Sequence, residues 1–330
     1  MMLNDRLDMQ PMLVAALAKK WKRRDFLFHS PQKTPFTTRM KSRIIVTGAN
    51  GRLGSALVRE WTAAGFEVTG MGRNELDISS GDKIATRLDA EEFAVLVNCA
   101  AQTNVDRCET ETAEAFELNA AAPTILADTC RRKGARIIHI STDYVFDGAQ
   151  DSPYTEEDSA IPISIYGASK RAGESGVLTA SEGRGLVVRV SWVFGPDRQS
   201  FVDQIVKNAL EKDEVAAIAD KIAVPTYTLD AARLLQPFLF ENDASGILHL
   251  CNGGSCTWQE YGQWALDCAA EAGAPLKART VAPLKMADLK AFIAKRPPNT
   301  AMNTARLTAL TGQHPRDWRD AVREYIHSKT

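Results

Sequence analysis

Tyr166 and Lys170 are spaced so that they could do acid–base chemistry together. They form a Y-x-x-x-K pair at the start of a predicted helix, where residues four apart lie on one face. A free tyrosine titrates near ~10, and an ammonium group one turn away favours the phenolate and lowers that pKa. The remaining donors of Lys170 can bind ribose hydroxyls. We therefore predict that Tyr166 exchanges a proton with a substrate and that Lys170 tunes it, although the same spacing is common on helix surfaces.

Thr142 lies where a substrate carbonyl would need a hydrogen-bond donor. It follows the predicted strand Ala135–Ser141, and ligands of parallel sheets bind at the carboxyl ends of the strands. An alternative interpretation is that the Thr142 hydroxyl only terminates the strand by bonding to the backbone. The Y-x-x-x-K pair follows this strand and precedes the next one, Leu186–Val190, and this placement strengthens the catalytic interpretation.

A glycine-rich loop follows the first predicted strand, Arg43–Thr47, and opens a helix. Its spacing is G-x-x-G-x-x-G. The first glycine permits the tight turn, the second lets the backbone approach a pyrophosphate, and the third allows close packing of helix and strand. The helix N-terminus offers free N–H groups and the positive end of its dipole to the anion. We predict that the loop holds a dinucleotide through Gly48, Asn50, Gly51, Arg52, Leu53 and Gly54.

The end of the second strand indicates which dinucleotide is bound. Selectivity for NAD usually places an acidic residue there, which accepts from the ribose 2′-hydroxyl. Arg73 occupies that position instead, and Arg52 protrudes from the glycine loop. Two guanidinium groups suit a 2′-phosphate, which favours NADPH. Both could equally be solvated surface charges, so NADH stays open. Asp77, followed by Ile78, could hydrogen-bond the adenine amino group.

Strands and helices alternate from residue 43 to about 194, which is the pattern of a parallel sheet covered by helices on both faces. We predict an α/β fold, a Rossmann-type doubly wound parallel sheet with a smaller, mixed α/β C-terminal domain for the substrate. The dinucleotide-binding domain is predicted at 41–194 with parts of 214–241, and 195–330 is mostly a discontinuous substrate-binding domain. Residues 1–40, which are basic and interrupted by prolines, are predicted to be a poorly ordered extension.

Several further assignments of helices and strands depend on the spacing of apolar residues. Lys285–Ile293 is predicted to be helical. Thr110–Lys133 is predicted to be a helix broken at Pro123, because proline disrupts a helix interior. Val215–Ala219 and Asp230–Leu239 are assigned to the sheet domain although they follow the change of rhythm at residue 195.

Several longer motifs occur in order along the chain: GANGRLG (48–54), VNCAAQTNVDRCE (97–109), ISTDYVFDG (140–148), PYTEED (153–158), IPISIYGASKRAGE (161–174) and VRVSWVFG (188–195). Together they resemble the dTDP-4-dehydrorhamnose reductase family of extended short-chain dehydrogenases, over about residues 42–310. The resemblance implies Thr142, Tyr166 and Lys170 as the catalytic triad. It further implies residues at the cofactor, namely Asn98, Ala100, Ala101, Thr103 and Asn119. It also implies residues at the sugar nucleotide, namely Asp143, Tyr144, Trp192 and Arg296.

The reaction that this resemblance implies is NADPH-dependent reduction of the C4 ketone of a nucleotide-linked 6-deoxyhexose. Tyr166 would donate the proton, and Arg296 could clamp the diphosphate. Two departures from the family pattern lie on the substrate side. Lys221 stands where glutamine is expected, and Pro298–Met302 lacks the usual Ser-x-Leu pattern. They leave the particular sugar and nucleotide open.

Three other functions share these features. A sugar-nucleotide dehydratase would need a Thr-Asp-Glu sequence at the end of the strand, and this chain has Thr142-Asp143-Tyr144 instead. An epimerase needs no such glutamate and stays an alternative. A non-catalytic NADP-binding subunit, resembling the regulatory subunit of methionine adenosyltransferase, is a further alternative, although the intact triad favours an enzyme.

Composition limits the partners. The 40 basic and 41 acidic side chains create no net field for nucleic acid or a membrane surface. No apolar run reaches the ~18 residues that cross a bilayer. The six cysteines form no C-x-x-C pair, so we expect reduced thiols, a cytoplasmic protein and no metal site. The oligomeric state stays open, and a homodimer through the Ala- and Glu-rich helices of 110–133 is one alternative.

Overall fold

The computed structural model describes residues 43–289 and 291–329, so the predicted extension at 1–40 lies outside the described residues. The first part of the chain alternates strands and helices. Its elements are β1 (Ile44–Thr47), α1 (Arg52–Ala63), β2 (Val68–Met71), α2 (Gly81–Asp89), β3 (Val95–Asn98), α3 (Val105–Thr110), α4 (Thr112–Phe116), a π-helical turn (Glu117–Ala121), α5 (Ala122–Lys133), β4 (Arg136–Thr142), α6 (Ile165–Ala180) and β5 (Leu186–Val190).

The second part of the chain contains more helices and several very short strands. Its elements are β6 (Val193–Phe194), α7 (Phe201–Glu211), β7 (Val215–Ile218), β8 (Ile222–Ala223), β9 (Thr226–Tyr227), α8 (Thr228–Leu235), α9 (Pro237–Phe240), β10 (Gly246–His249), β11 (Cys256–Thr257), α10 (Trp258–Glu271), β12 (Val281–Leu284), α11 (Ala305–Thr311) and α12 (Trp318–His327).

A central sheet of six parallel strands has the order β10-β5-β4-β3-β1-β2. Its strands are short runs rich in valine and isoleucine, and all four residues of β1 are buried because helices cover both faces. The order reverses at β1, which has β2 on one side and β3 on the other. Ligands of such sheets bind outside the carboxyl ends of the strands at this point. The predicted Rossmann-type α/β fold is confirmed.

Three apolar clusters hold the fold together. On one face of the sheet, α1 and α8 pack against β1 through Leu57, Trp61 and Leu235. On the other face, α2 and α5 pack through Ile84 and Leu126. A separate aromatic cluster joins α7, α10 and α12 in the C-terminal part. The C-terminal part therefore has an apolar core of its own, separate from the two cores that flank the sheet.

Three local predictions were wrong. The segment Lys285–Ile293 does not form a helix in the residues that the structure describes. It holds only a short 3₁₀ turn, Met286–Asp288, which buries no side chain, and a short helix without a buried face is unstable. The helix of 110–133 is interrupted by the π-helical turn at 117–121, whereas Pro123 lies in the first turn of α5, where its missing N–H costs nothing. Val215–Ile218 pairs with β12 and not with the central sheet.

Candidate active site

The glycine loop leaves backbone N–H groups available at the start of α1. Gly48 has a φ of +65°, and a Cβ there would lie 2.7 Å from the Ala100 nitrogen. A Cβ on Gly54 would overlap the Gly48 carbonyl oxygen. Gly51 precedes the helix and provides no side-chain cap, so the first N–H groups of α1 have no side-chain acceptor. This cradle fits the diphosphate of a dinucleotide.

The two arginines predicted to share a 2′-phosphate have different surroundings. Arg52 donates to the carbonyl oxygens of Arg198 and Gln199, and so ties the glycine loop to the segment before α7. These carbonyls hold the Arg52 guanidinium, so its contact with a 2′-phosphate stays a prediction that requires it to leave them. Arg73 is exposed just beyond β2, where the adenosine ribose of a dinucleotide is expected.

The residues predicted around the adenine lie beyond β2. Asp77 accepts from the Ser79 hydroxyl at 2.7 Å and pairs with Lys83 Nζ at 2.8 Å. The hydrogen bond from Lys83, with those from Ser79, lowers the pKa of Asp77 to about 2, so the carboxylate is ionised. Ile78 is half-buried beside it, and Asn50 packs its amide against Gly72.

Asn119 positions the loop after β3 instead of facing a ligand. Its Oδ1 accepts from the Gln102 nitrogen at 2.8 Å, and its Nδ2 donates to the Gln102 carbonyl at 2.9 Å and to Ser169 Oγ at 3.0 Å. The predicted contact of Asn119 with the cofactor is therefore not supported, because the amide is buried and bonded within the protein. The loop that it holds carries the remaining predicted cofactor residues, Ala100, Ala101 and Thr103.

The structure brings the three predicted catalytic residues together. Thr142 ends β4, and Tyr166 and Lys170 lie in the first turns of α6, which Ser164 caps through the Gly167 N–H at 3.2 Å. Burial raises the pKa of Tyr166 above its ordinary value, and a hydrogen bond with Thr142 opposes this shift only in part. Tyr166 is therefore a neutral phenol that can donate a proton at neutral pH.

Lys170 is oriented differently from the prediction. Its Nζ donates to the Ile140 carbonyl at 2.7 Å and lies 3.3 Å from Nε2 of His139. Burial lowers the pKa of Lys170 to about 8. The pKa of Tyr166 is raised in this arrangement, with burial of the phenol as the largest cause, and the lowering of that pKa by Lys170 stays a prediction.

Asp143 supports Thr142 from behind. Its Oδ1 accepts from Thr142 Oγ1 at 3.0 Å, and its Oδ2 accepts from Ser191 Oγ at 2.8 Å and from Thr300 Oγ1 at 2.6 Å. The side chain is only 2 % exposed, so the predicted direct contact of Asp143 with the sugar is not supported. Its carboxylate instead fixes the orientation of the Thr142 hydroxyl.

Tyr144 and Trp192 lie on two sides of the catalytic edge. The Tyr144 ring packs edge-on against Tyr166, with centroids 5.7 Å apart. Trp192 has a φ of +39°, which is unusual for a residue with a side chain, and it lines a cavity of about 210 Å³. Phe201, Trp258 and other aromatic residues form much of the wall, and the Nε1 atoms of Trp192 and Trp258 are buried without a hydrogen-bond partner.

Arg296 is held in an ion pair. Its Nη2 donates to Asp106 Oδ2 at 2.7 Å, and Asp106 Oδ1 also accepts from the backbone nitrogens of Ile293 and Ala294, each at 2.9 Å. The guanidinium lies over the Phe292 ring, 3.5 Å from its centroid. The segment 291–296 is therefore fastened to the start of α3, and Arg296 must leave Asp106 before it can bind another anion.

Comparisons with known proteins identify the family of this chain. The model of the RmlD substrate binding domain matches residues 41–330. A dTDP-4-dehydrorhamnose reductase of Streptomyces griseus is 35 % identical over 86 % of this chain and 93 % of its own length. The chain belongs to the dTDP-4-dehydrorhamnose reductase family.

Other relatives agree with this assignment. A spore coat polysaccharide biosynthesis protein of Bacillus subtilis is 34 % identical over 88 % of this chain and 98 % of its own length. The crystal structure of the dTDP-4-dehydrorhamnose reductase of Bacillus anthracis, in complex with NADP, superposes with a TM-score of 0.81 at 29 % identity, over 88 % of this chain and all of the other. Family membership makes the chain an NAD(P)H-dependent oxidoreductase with a sugar-nucleotide-binding site.

Several residues of this reductase site escaped the sequence analysis. Asp106 lies within a quoted motif, but nothing local shows that it pairs with Arg296, which is 190 positions away. Ser191 and Thr300 donate to Asp143 from segments that are 48 and 157 positions away. Long-range contacts of this kind leave no spacing signal in one sequence. Within 43–289 and 291–329, no group of three potential metal ligands and no helix suited to crossing a membrane is found.

Proposed function

We propose that the protein uses NADPH to reduce the C4 ketone of a nucleotide-linked 6-deoxyhexose. The observation that carries this proposal is the buried, neutral phenol of Tyr166 beside the Thr142 hydroxyl. Both lie at the carboxyl edge of the sheet that also carries the glycine loop. The names of the relatives support the same chemistry, since several are reductases of dTDP-linked keto sugars.

The cofactor is proposed to lie along the glycine loop and the end of β2. The free N–H groups that follow Gly51 suit the diphosphate, and the exposed Arg73 suits the 2′-phosphate of NADPH, while NADH stays the alternative. Lys170 and the loop at Ala100 are proposed to face its nicotinamide half. NADPH, when bound, supplies the hydride that the ketone carbon receives.

Tyr166 is proposed to donate the proton that the ketone oxygen needs as it becomes an alkoxide. Burial keeps the Tyr166 phenol protonated at neutral pH, so the proton is on this oxygen before the reaction begins. Thr142 can hold the ketone oxygen near that phenol once its one hydroxyl hydrogen, which Asp143 Oδ1 accepts at 3.0 Å, turns to the ketone oxygen. Tyr144, which replaces the glutamate of a dehydratase, packs against Tyr166 and offers no carboxylate for elimination.

The nucleotide end of the substrate is proposed to enter the cavity beside Trp192. Its lining is largely aromatic, and three of the lining residues, Trp192, Trp258 and Tyr261, each have a buried polar side-chain atom without a hydrogen-bond partner. Flat rings stack on such walls, and buried donors without partners favour a ligand with acceptors. Arg296, once released from Asp106, would bind the diphosphate as a bidentate donor.

Three further proposals concern the molecule as a whole. Residues 41–194, with parts of 214–241, bind the dinucleotide, and most of 195–330 binds the substrate. The protein acts in the cytoplasm, where its six free thiols stay reduced. It forms a homodimer, for which the apolar side chains exposed on the surface, such as Ile161 at 57 %, are candidate contacts. Sedimentation at several protein concentrations tests the dimer.

The decay of NADPH absorbance with dTDP-4-keto-6-deoxy-mannose tests the proposed reaction. We expect turnover with the wild type and a loss of at least about 100-fold in Tyr166→Phe, with unchanged NADPH affinity, because only the proton donor is removed. Tyr227→Phe, which removes a phenol hydroxyl from the C-terminal aromatic cluster and not from the catalytic residues, is the matched control and should keep its rate. If NADPH binds tightly but no keto sugar nucleotide is reduced, the protein is a binding subunit and the proposal is wrong.

A further inference from the structure

A buried chain of polar side chains continues behind Lys170, away from the catalytic cleft. Asn98 Oδ1 accepts from the Ala100 backbone nitrogen at 3.1 Å and from Thr47 Oγ1 at 2.6 Å. A backbone N–H can only donate, so the carbonyl oxygen of the Asn98 amide must lie on this side. The Asn98 Nδ2 group then faces His139 Nδ1 at 2.9 Å.

This contact determines where His139 carries its proton. Nδ2 of an asparagine can only donate, so His139 Nδ1 must accept. His139 is fully buried, and burial lowers its pKa well below the usual value, so the ring is neutral and has one N–H. That N–H is therefore on Nε2, the atom 3.3 Å from Lys170 Nζ.

The hydrogen bonds of Lys170 then suit an amine better than an ammonium group. An amine has two hydrogens and one lone pair. One hydrogen bonds to the Ile140 carbonyl at 2.7 Å, the lone pair accepts from His139 Nε2–H, and one hydrogen is left for the cleft. An ammonium group has no lone pair, so it would place its positive charge against the N–H of His139.

We propose that His139 is a positioning residue for Lys170: it carries its proton on Nε2 and offers that proton to the amine form of Lys170. Asn98 fixes this tautomer, and the Ala100 N–H fixes Asn98. This series of hydrogen bonds therefore connects the loop expected at the cofactor with the lysine of the Y-x-x-x-K pair.

Two other titratable groups influence Lys170. Glu174, one turn further along α6, favours the charged lysine, but its carboxylate is already bound by Arg189 and Ser141. Cys99 lies at the end of β3, and burial raises the pKa of its thiol to about 12, so it is neutral. Burial of the amine is the largest influence on Lys170 and brings its pKa to about 8. The lysine can thus change its charge near neutral pH.

A consequence for activity rests on the proposed function. Tyr166 becomes a phenolate when it donates its proton, and a nearby ammonium group stabilises that charge. Activity should therefore fall as pH rises through the point, near 8, at which Lys170 loses its proton. A variant in which the charged lysine is favoured should keep its activity to higher pH.

Nitrogen NMR of the histidine-labelled wild type tests the tautomer directly. We expect His139 to show a protonated Nε2 and an unprotonated Nδ1, identified as the signals that His139→Phe lacks. The opposite tautomer, or a ring protonated on both nitrogens at neutral pH, would overturn the proposal. This measurement needs no substrate, so it holds or fails independently of the proposed reaction.

A titration of labelled lysine side chains tests the effect on Lys170. In Asn98→Asp the carboxylate accepts from His139 Nδ1–H, so Nε2 becomes an acceptor, and we expect the Lys170 midpoint to rise by about one pH unit or more. His139→Phe, which removes the opposing N–H, should raise it too and serves if Asn98→Asp does not fold. Lys221, buried elsewhere beside Asp143 and Arg296, is the internal control and should not move. Unchanged Lys170 midpoints would refute the proposal.

The pH dependence of kcat/KM completes the test. Its alkaline decline should shift upward with the Lys170 midpoint in both variants, and Lys170→Arg, which does not titrate in this range, should lack that decline. A decline that stays in place while the NMR midpoint moves would refute the link to activity. If the NMR results agree but no ketone is reduced, the proposed reaction fails while the role of His139 stands.

Discussion

Arg189 and Glu174 form a bidentate ion pair in the interior of the protein, with Nε and Nη2 of Arg189 each 2.8 Å from a carboxylate oxygen of Glu174. Both side chains are essentially unexposed, at 1 % and 0 %. Ser141 donates to the same carboxylate at 2.7 Å. The pair therefore joins α6 to β4 and β5 one turn beyond Lys170, and this attachment fixes the rotation of the helix that presents the catalytic side chains.

Breaking this ion pair should destabilise the fold strongly. In Arg189→Met the Glu174 carboxylate stays buried without its partner, and such a loss costs about 3–5 kcal/mol of the free energy of unfolding. Urea denaturation measures it. The exposed Arg184→Met is the matched control and should change little. The double variant Arg189→Met, Glu174→Leu should recover much of the loss; a single variant as stable as the wild type would contradict this account.

Gly54→Ala should abolish tight cofactor binding. Its Cβ would overlap the Gly48 carbonyl oxygen, so either the turn or the start of α1 must shift, and the N–H groups of the cradle move with it. We expect the dissociation constant for NADPH, measured by fluorescence titration, to rise at least tenfold. Gly262→Ala is the control, because its Cβ would meet its nearest neighbours at 3.5 Å. Equal affinity of both variants would show that the loop does not hold the diphosphate.

A feature of this molecule is predictable from the sequence when the residues that form it lie close together in the sequence. The glycine loop and the Tyr166–Lys170 pair were predictable because their spacing is local, and the strands because their apolar runs are buried on both faces. The surroundings of those residues were not. Asp143 was assigned to the substrate, yet Thr300, 157 positions away, occupies its carboxylate. Likewise, nothing near Arg52 in sequence indicates the carbonyls that hold it, which lie about 146 positions further on.

Lys221 should make stability depend on pH in the alkaline range. Burial lowers its pKa to about 8 in the folded protein, whereas an unfolded lysine titrates near about 10.4. Between these values the unfolded chain binds the extra proton, so the free energy of unfolding rises with pH, by up to about 1.4 kcal/mol per pH unit for each such group. Lys170, whose pKa is also lowered to about 8, adds a similar slope.

Lys221→Met removes one of these two contributions. We expect the slope of the free energy of unfolding between pH 8 and 10 to fall below the wild-type slope by up to about 1.4 kcal/mol per pH unit, measured by urea denaturation across that range. The exposed Lys207→Met is the control and should keep the full slope. The prediction fails if Lys221→Met keeps the slope of the wild type, since Lys221 would then remain charged inside the protein.

The ion pair between Arg296 and Asp106 should oppose substrate binding. The Arg296 hydrogen bonds hold the pKa of Asp106 at about 2, so this carboxylate is charged throughout the neutral range and the effect should not vary there with pH. If Arg296 binds the diphosphate, it must first give up this charge-assisted contact, which contributes about 1.5–3 kcal/mol.

Asp106→Asn keeps an oxygen for the nitrogens of Ile293 and Ala294 but weakens the hold on Arg296. We expect KM for the sugar nucleotide to fall roughly tenfold, with kcat nearly unchanged. Arg296→Met should raise KM at least tenfold, whereas a lower KM in both variants would mean that Arg296 serves only to fasten the segment.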